Sequence, residues 1–308
     1  MAVYTPLSEA DEAELAGLFD LPLPLRPTPI ATGSENSTYR LETARGRFAL
    51  TLVESQTADV AERRLRWVQR LHRQGLPVAA PRASRRGRLV ESLAGRPVVV
   101  TPWLAGEHPL RPTLDQCREI GAFLGRLHTT ALDAGVPTSA PLQPLIPRAL
   151  AQATRLTPRQ RRALSTAAAA AGFAALPRGP VHGDLFRDNA LFRGPRLHAV
   201  LDFYAAGAGT LALDLAVTAL DWCRGDKGLD PVRLAALWAG YQALRPLRRE
   251  ERRAWPALLR HAAAGFWAMR ILQRQRSPAM GAGKPPEAML ALLQSLSPPL
   301  EIPQKRRA

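Results

Sequence analysis

The sequence predicts an α+β protein of two unequal lobes, a small β-rich lobe over residues 1–104 and a larger, mostly helical lobe over residues 105–308. Two observations carry that expectation. Two hairpin-like β patterns around a single amphipathic helix fill the first hundred residues. Capped helical patterns then take over from Thr113, so Thr101 to Pro109 reads as the junction between lobes. A chain of 308 residues is long enough for one large or two closely packed domains.

The elements follow in order. Ser8 with Asp11 three residues later, then Leu15, Leu18 and Phe19, reads as a capped helix ended by a proline-rich stretch, Leu21 to Pro29. Gly33 to Leu41 and Phe48 to Val53, joined by Ala44-Arg45-Gly46, make the first hairpin. Ala58 to Gln74 is helical, with Leu65, Val68 and Leu71 on one side and Gly75 as its stop. Arg88 to Trp103, broken at Ala94-Gly95, is the second hairpin. Thr113 and Gln116 form a capping box before Ile120, Phe123, Leu124 and Leu127, which keep helical spacing. Thr157-Pro158 with Gln160 opens another helix, with proline at its first position. Further helices are expected at Leu211–Cys223, Pro231–Leu244, Glu251–Gln275 and Pro286–Leu296, with a frayed proline-rich end from Ser297.

Composition excludes several classes. A hydrophobic share of 46% is that of a globular chain, and no apolar run reaches the roughly 18 residues of a membrane span. Met1 to Asp20 is acidic and lacks the basic start of a secretory signal. Cys117 and Cys223, the only cysteines, make no disulfide framework, and a cytoplasmic location is expected. The net charge of +16 could suggest nucleic acid. All basic residues except Lys227, Lys284 and Lys305 are arginine, however, spread along the chain without interleaved aromatics for stacking. No nucleic-acid partner is expected.

The chemistry-bearing stretch is Val181-His182-Gly183-Asp184-Leu185-Phe186-Arg187-Asp188-Asn189, with Asp202 thirteen residues further on. Kinase catalytic loops place an Asp five residues before an Asn in this way. The reason is physical. A carboxylate must accept the proton of the attacking hydroxyl while an amide oxygen holds Mg²⁺ on the phosphates, a few ångströms away. A hairpin turning at Arg193-Gly194-Pro195 would return Asp202 to the same metal, a hard cation that takes oxygen ligands. Taken singly, Asp184, Asn189 and Asp202 could each be a cap or a surface group. Jointly, at these spacings, they point to phosphoryl transfer. His182 reads as a support for the loop backbone.

The His-Gly-Asp form of the loop resembles the aminoglycoside and choline phosphotransferase superfamily, whose fold is protein-kinase-like. Gly33-Ser34-Glu35-Asn36-Ser37, Leu50-Thr51-Leu52-Val53-Glu54, Leu201-Asp202-Phe203-Tyr204, Asp214-Leu215-Ala216-Val217-Thr218 and Asp221-Trp222-Cys223 are similar to the homoserine kinases of that superfamily. The likeness spans about residues 1–275. It implies ATP-dependent phosphorylation of the homoserine hydroxyl, on the way to threonine. Asp184 would be the catalytic base, with Asn189 and Asp202 holding Mg²⁺. ATP would lie with its adenine against Trp103 and Leu104 and its phosphates under Gly33, Ser34, Asn36 and Ser37. Thr51 stands where kinases carry a phosphate-binding lysine, and no lysine precedes Lys227. Arg63 or Arg64 could supply the missing charge. Arg270 shares a helix face with Phe266, and either grips the substrate carboxylate or pairs with an acid such as Asp221. The sequence leaves open an aminoglycoside or choline as acceptor. It also leaves open a silent nucleotide-binding protein, on the strength of the missing lysine. An arginine-rich second lobe favours an acceptor with a carboxylate.

Overall fold

The computed structural model describes residues 7–30, 36–54, 56–132, 136, 145–152, 156–169, 173–276 and 285–296. The chain begins with α1 (Glu9–Phe19), whose Ser8 and Asp11 make the expected reciprocal cap. The proline-rich stretch after it contains a strand that the sequence reading misses, β1 (Arg26–Pro29). It lies at the edge of the sheet, the place where prolines, which lack a ladder donor, are tolerated. β2 (Ser37–Thr43) and β3 (Gly46–Leu52) form the first hairpin, and β4 (Glu91–Leu93) and β5 (Arg96–Pro102) the second. Ala94 and Gly95 turn the second hairpin with φ of 48° and 76°, the left-handed pair a two-residue turn needs. The five strands are antiparallel in the order β1-β2-β3-β5-β4.

Strand alternation gives this sheet two faces. Tyr39, Leu41, Leu50, Leu52, Val98 and Val100 pack against Leu15 and Phe19 of α1. The opposite face carries Thr38, Arg40, Ala49, Thr51, Val99 and Thr101, most of it half-buried. The helix α2 (Ala58–Arg73) serves two cores. Ala61 and Leu65 join Val53, Leu89, Val90 and Val99, while Trp67, Val68 and Leu71 join the large core of the helical lobe.

The helical lobe contains α3 (Leu114–Leu127), α4 (Leu145–Gln152), α5 (Pro158–Ala169), α6 (Leu211–Trp222), α7 (Pro231–Gln242), α8 (Arg249–Arg276) and α9 (Pro286–Ser295). The caps at Thr113–Gln116 and Thr157–Gln160 are both present. The short α4 is not predicted, because only Ile146 and Ala149 mark a buried face on it. α3 and α7 approach backbone to backbone. A Cβ on Gly121 would lie 2.0 Å from the Leu237 carbonyl oxygen, and one on Gly240 2.0 Å from that of Arg118. Only glycine permits that crossing.

Three short antiparallel pairs complete the lobe. β6 (Arg178–Val181) pairs with β9 (Gly207–Thr210), β7 (Ala190–Arg193) with β8 (Arg196–Val200), and β10 (Arg224–Gly225) with β11 (Gly228–Leu229). The turn of the β7–β8 hairpin falls at Gly194-Pro195, as expected. The segment after α2 docks on the end of β8, where Val200 N–H donates to Pro77 and Ala79 N–H donates to Val200. Residues from 297 lie outside the described ones, as does the fraying expected of them. Among the described residues no helix is long and apolar enough to cross a membrane.

Candidate active site

The loop after β6 is held by one buried carboxylate. Asp214, in the first turn of α6, accepts the N–H of His182 at 2.9 Å and that of Gly183 at 2.8 Å, one on each oxygen. His128 Nε2 lies 3.0 Å from the same side chain, and His128 Nδ1 is 2.8 Å from the Tyr241 hydroxyl. Arg245 donates to that hydroxyl at 2.7 Å and pairs with the buried Glu251 at 3.0 Å. Burial alone would raise the pKa of Asp214, but the hydrogen bonds from His128 and from the His182 N–H outweigh it and hold it below the ordinary carboxylate value. Nothing near the loop in sequence announces this support. His128 lies 54 residues upstream of His182, at the end of α3.

The His182 ring joins two strands of the site. Its Nδ1 accepts the Asp184 N–H at 3.2 Å, so Nε2 carries the proton and donates to the Leu201 carbonyl at 2.9 Å. Burial lowers its pKa, against the opposing pull of Asp214 and the Leu201 carbonyl, so the ring is neutral. A neutral, doubly bonded imidazole holds backbone in place.

Asp184, Asn189 and Asp202 are drawn together by this scaffold. Asn189 Nδ2 donates to the Asp184 carbonyl at 2.8 Å and approaches its Oδ2 at 3.4 Å. That donation fixes which end of the amide is oxygen and turns Oδ1 away from Asp184. The Leu201 N–H donates to the Asn189 carbonyl at 2.9 Å, which sets the next residue, Asp202, beside the loop. Asp202 is exposed and has φ of 56°, a left-handed backbone that Asp tolerates better than most residues. Among the described residues no three His, Cys, Asp or Glu side chains form a ready-made metal cage. An amide oxygen and one carboxylate fit a hard divalent cation that takes its other ligands from phosphate and water.

The β-rich lobe touches this centre at the run after Asp202. Thr51 hydrogen-bonds the Tyr204 phenol, whose pKa is pushed up by burial first and by the Asp202 charge second. Gln56 donates to the Tyr204 carbonyl at 3.4 Å, and Arg64 Nε to the Ala206 carbonyl at 2.8 Å. Arg64 also bonds Gln56, whereas Arg63 faces solvent. Of the two candidate arginines, only Arg64 reaches the catalytic region.

The other nucleotide-side residues divide. Gly33 and Ser34 lie outside the described residues. Asn36 and Ser37 are buried and clamp the end of β3. The Glu54 N–H donates to Asn36 Oδ1 at 3.1 Å, and Ser37 Oγ donates to Glu54, which also pairs with Arg96. Ser37 is the more enclosed of the two. It is fully buried and shares its strand face with Tyr39 and Leu41, so its hydroxyl points to the α1 side rather than to the cleft. Trp103 and Leu104 continue β5 half-buried, with the Trp103 N–H on the Arg47 carbonyl at 3.0 Å and Arg40 5.9 Å from the indole centroid.

Arg270 is buried behind the loop, at 6% exposure, on the helix whose Phe266 packs on Phe186 at 4.6 Å. It donates to the Pro285 carbonyl at 3.1 Å. The acid suggested as its structural partner is taken, because Asp221 holds Arg187 through Nε at 2.9 Å, Nη2 at 3.2 Å and the backbone N–H at 2.8 Å. Burial lowers the Arg270 pKa and the Arg224 charge lowers it further, while Asp221, Asp184 and Asp188 oppose them.

Known proteins share this arrangement. The profile of the phosphotransferase enzyme family matches residues 26–255. A homoserine kinase of Pseudomonas aeruginosa (strain UCBPP-PA14) is 39% identical over 282 residues, covering 88% of this chain and 89% of that protein. A homoserine kinase of Burkholderia mallei (strain SAVP1) is 36% identical over 292 residues, covering 88% of each. Among solved structures, amicoumacin kinase hAmiN in complex with AMP-PNP, Ca²⁺ and Ami superposes with a TM-score of 0.72 at 16% identity, over 92% of this chain and 91% of that one. Spectinomycin phosphotransferase, in complex with ADP and its antibiotic, gives 0.67 at 11% identity over 94% and 95%. These structures share the fold, and the fold, the loop and the sequence matches together show that the chain belongs to the phosphotransferase enzyme family.

Proposed function

We propose that this protein transfers the γ-phosphoryl group of ATP to the side-chain hydroxyl of L-homoserine, giving O-phosphohomoserine. The observation that carries the reading is the joining of Asp184, Asn189 and Leu201-Asp202 by backbone and side-chain bonds, in a chain whose relatives over most of its length are homoserine kinases. The Asp184 carboxylate accepts the hydroxyl proton as that oxygen bonds to the γ-phosphorus and the bond to the β-phosphate bridging oxygen breaks. Asn189 Oδ1 and an Asp202 oxygen would hold Mg²⁺, which when bound offsets charge on the phosphates. His182 and Asp214 keep the loop from relaxing, so most of the rate comes from positioning. The cleft-facing side of the sheet, with Thr51, Trp103 and Leu104, supports a nucleotide site there, and Asn36, bonded to the Glu54 N–H, would lie beside its phosphates.

We place the lobes near residues 1–104 and 105–308, with α2 contributing to the cores of both. A cytoplasmic location and small-molecule partners alone complete the reading. The test is ADP release with ATP and Mg²⁺ against homoserine, choline and an aminoglycoside. Homoserine should exceed the others in kcat/KM by orders of magnitude. Preference for either of the others would replace homoserine as the acceptor. Asp202→Ala should weaken binding of ATP with Mg²⁺ as well as turnover, and an unchanged calorimetric affinity would remove it from the metal site.

A further inference from the structure

Two arginines beside the catalytic loop donate to the same start of α9, Arg224 to the Ala288 carbonyl and Arg270 to that of Pro285. Arg270 is nine-tenths buried and, among the described residues, makes one hydrogen bond, to a backbone carbonyl. Arg224 is half-buried and donates to the Ala288 carbonyl at 3.1 Å, on the same N-terminal stretch of α9 that receives Arg270 at Pro285. Among the described residues neither arginine has a carboxylate in ion-pair contact, although exposed Arg274 nearby has Glu287 at 2.8 Å. The two are near enough for the Arg224 charge to act on Arg270. Holding like charges together away from bulk water is unfavourable, and the Asp221, Asp184 and Asp188 carboxylates offset it only in part, since the Arg270 pKa stays below its ordinary value.

The surroundings say which counter-charge fits. Phe266 packs on Phe186, inside the Asp184–Asn189 loop, and Arg270 lies one helical turn beyond Phe266 on the same face. Asp184 and Asp188 are within electrostatic reach of Arg270, and Asp221 is too, although Arg187 already holds it. An anion bound by the arginines therefore sits within a short molecule's length of the catalytic base. We propose that Arg224 and Arg270 together clamp the carboxylate of the amino-acid acceptor, leaving its hydroxyl at Asp184. The inference rests on the homoserine reading above. A guanidinium pair suits a carboxylate because each can offer parallel N–H donors.

The test compares L-homoserine with 3-aminopropan-1-ol, the same acceptor with hydrogen in place of the carboxylate. Wild type, Arg224→Gln, Arg270→Gln and the more conservative Arg224→Lys and Arg270→Lys are assayed with both. In each Gln variant the ratio of kcat/KM values, homoserine over aminopropanol, should fall roughly 10- to 100-fold, through a raised KM for homoserine. The Lys variants should recover part of the ratio and keep the proposal testable if Arg270→Gln fails to fold. A ratio that stays at the wild-type value, with both substrates impaired alike, overturns the clamp and makes the arginines scaffold. An unchanged ratio with relieved inhibition by O-phosphohomoserine assigns the pair to the product phosphate and overturns it equally. Failure of the wild type to phosphorylate homoserine removes the functional reading itself, a different result from an active enzyme with an unchanged ratio.

Discussion

The two sides of the cleft are built to different standards. On the helical side, His182 and Gly183 hang from Asp214, and Asp214 rests on His128, Tyr241, Arg245 and Glu251, most of them buried. On the sheet side, Asn36, Ser37, Glu54 and Arg96 make one small cluster, and Thr51, Gln56 and Arg64 reach across to residues 204–206, where Tyr204 also packs on the core of α2. The contrast follows from the chemistry. Under the proposed function, the groups that meet the reacting atoms would have to hold their positions within fractions of an ångström, while a lobe that admits and releases nucleotide would have to shift.

Substitutions should expose that asymmetry, most strongly where atoms react. Asp184→Asn should lower kcat by about 10²- to 10⁴-fold with ATP affinity near wild type, measured by steady-state kinetics and calorimetry. Retention of more than a tenth of the rate would deny Asp184 the role of base.

Asp214→Ala should cost about 3–5 kcal/mol in urea unfolding, because it strands two buried N–H groups and the His128 ring. Its pH signature is distinct. Asp214 has a folded pKa below its unfolded one, so its stabilisation is present above about pH 4 and is lost as pH falls further. His182 and His261 are also depressed, so in wild type stability should already decline as pH drops through about 6.5. The variant should keep the upper decline and show a shallower lower one, since Asp11, Asp20 and Glu287 are also depressed. An identical profile in both proteins would break the comparison.

Gly240→Ala should cost about 1–3 kcal/mol, since the added carbon meets the Arg118 carbonyl and α3, which ends in His128, must move. A melting temperature equal to wild type would mean that the crossing is looser than its geometry indicates. The smallest effect belongs to the sheet side. Thr51→Val should remove about 0.5–1.5 kcal/mol of interlobe contact and change the KM for ATP more than the melting temperature. A large loss of stability instead would make the two sides alike.

Much of this was legible from residue order. Helix caps, two-residue turns and apolar spacing are local, so Ser8, Thr113, Thr157 and Ala94-Gly95 announce their elements without reference to the rest of the chain. The Asp184 and Asn189 spacing is legible for the same reason, because one short loop must serve both residues. Strand parity could have warned that Ser37 and Thr51 face opposite ways, since Ser37 pairs with Leu52 and Thr51 sits one residue before it. Other features had no local signal. His128 reaches Asp214 across 86 residues, and Arg224 and Arg270 come to the same start of α9 from β10 and α8. The sequence by itself determined most of the elements and the kinship, because each depends on neighbours a few positions apart. Which buried charge supports which loop, and which arginines come to the start of α9, was decided only by the tertiary structure. Electrostatic partnership depends on distance through space, and local spacing carries no record of that distance.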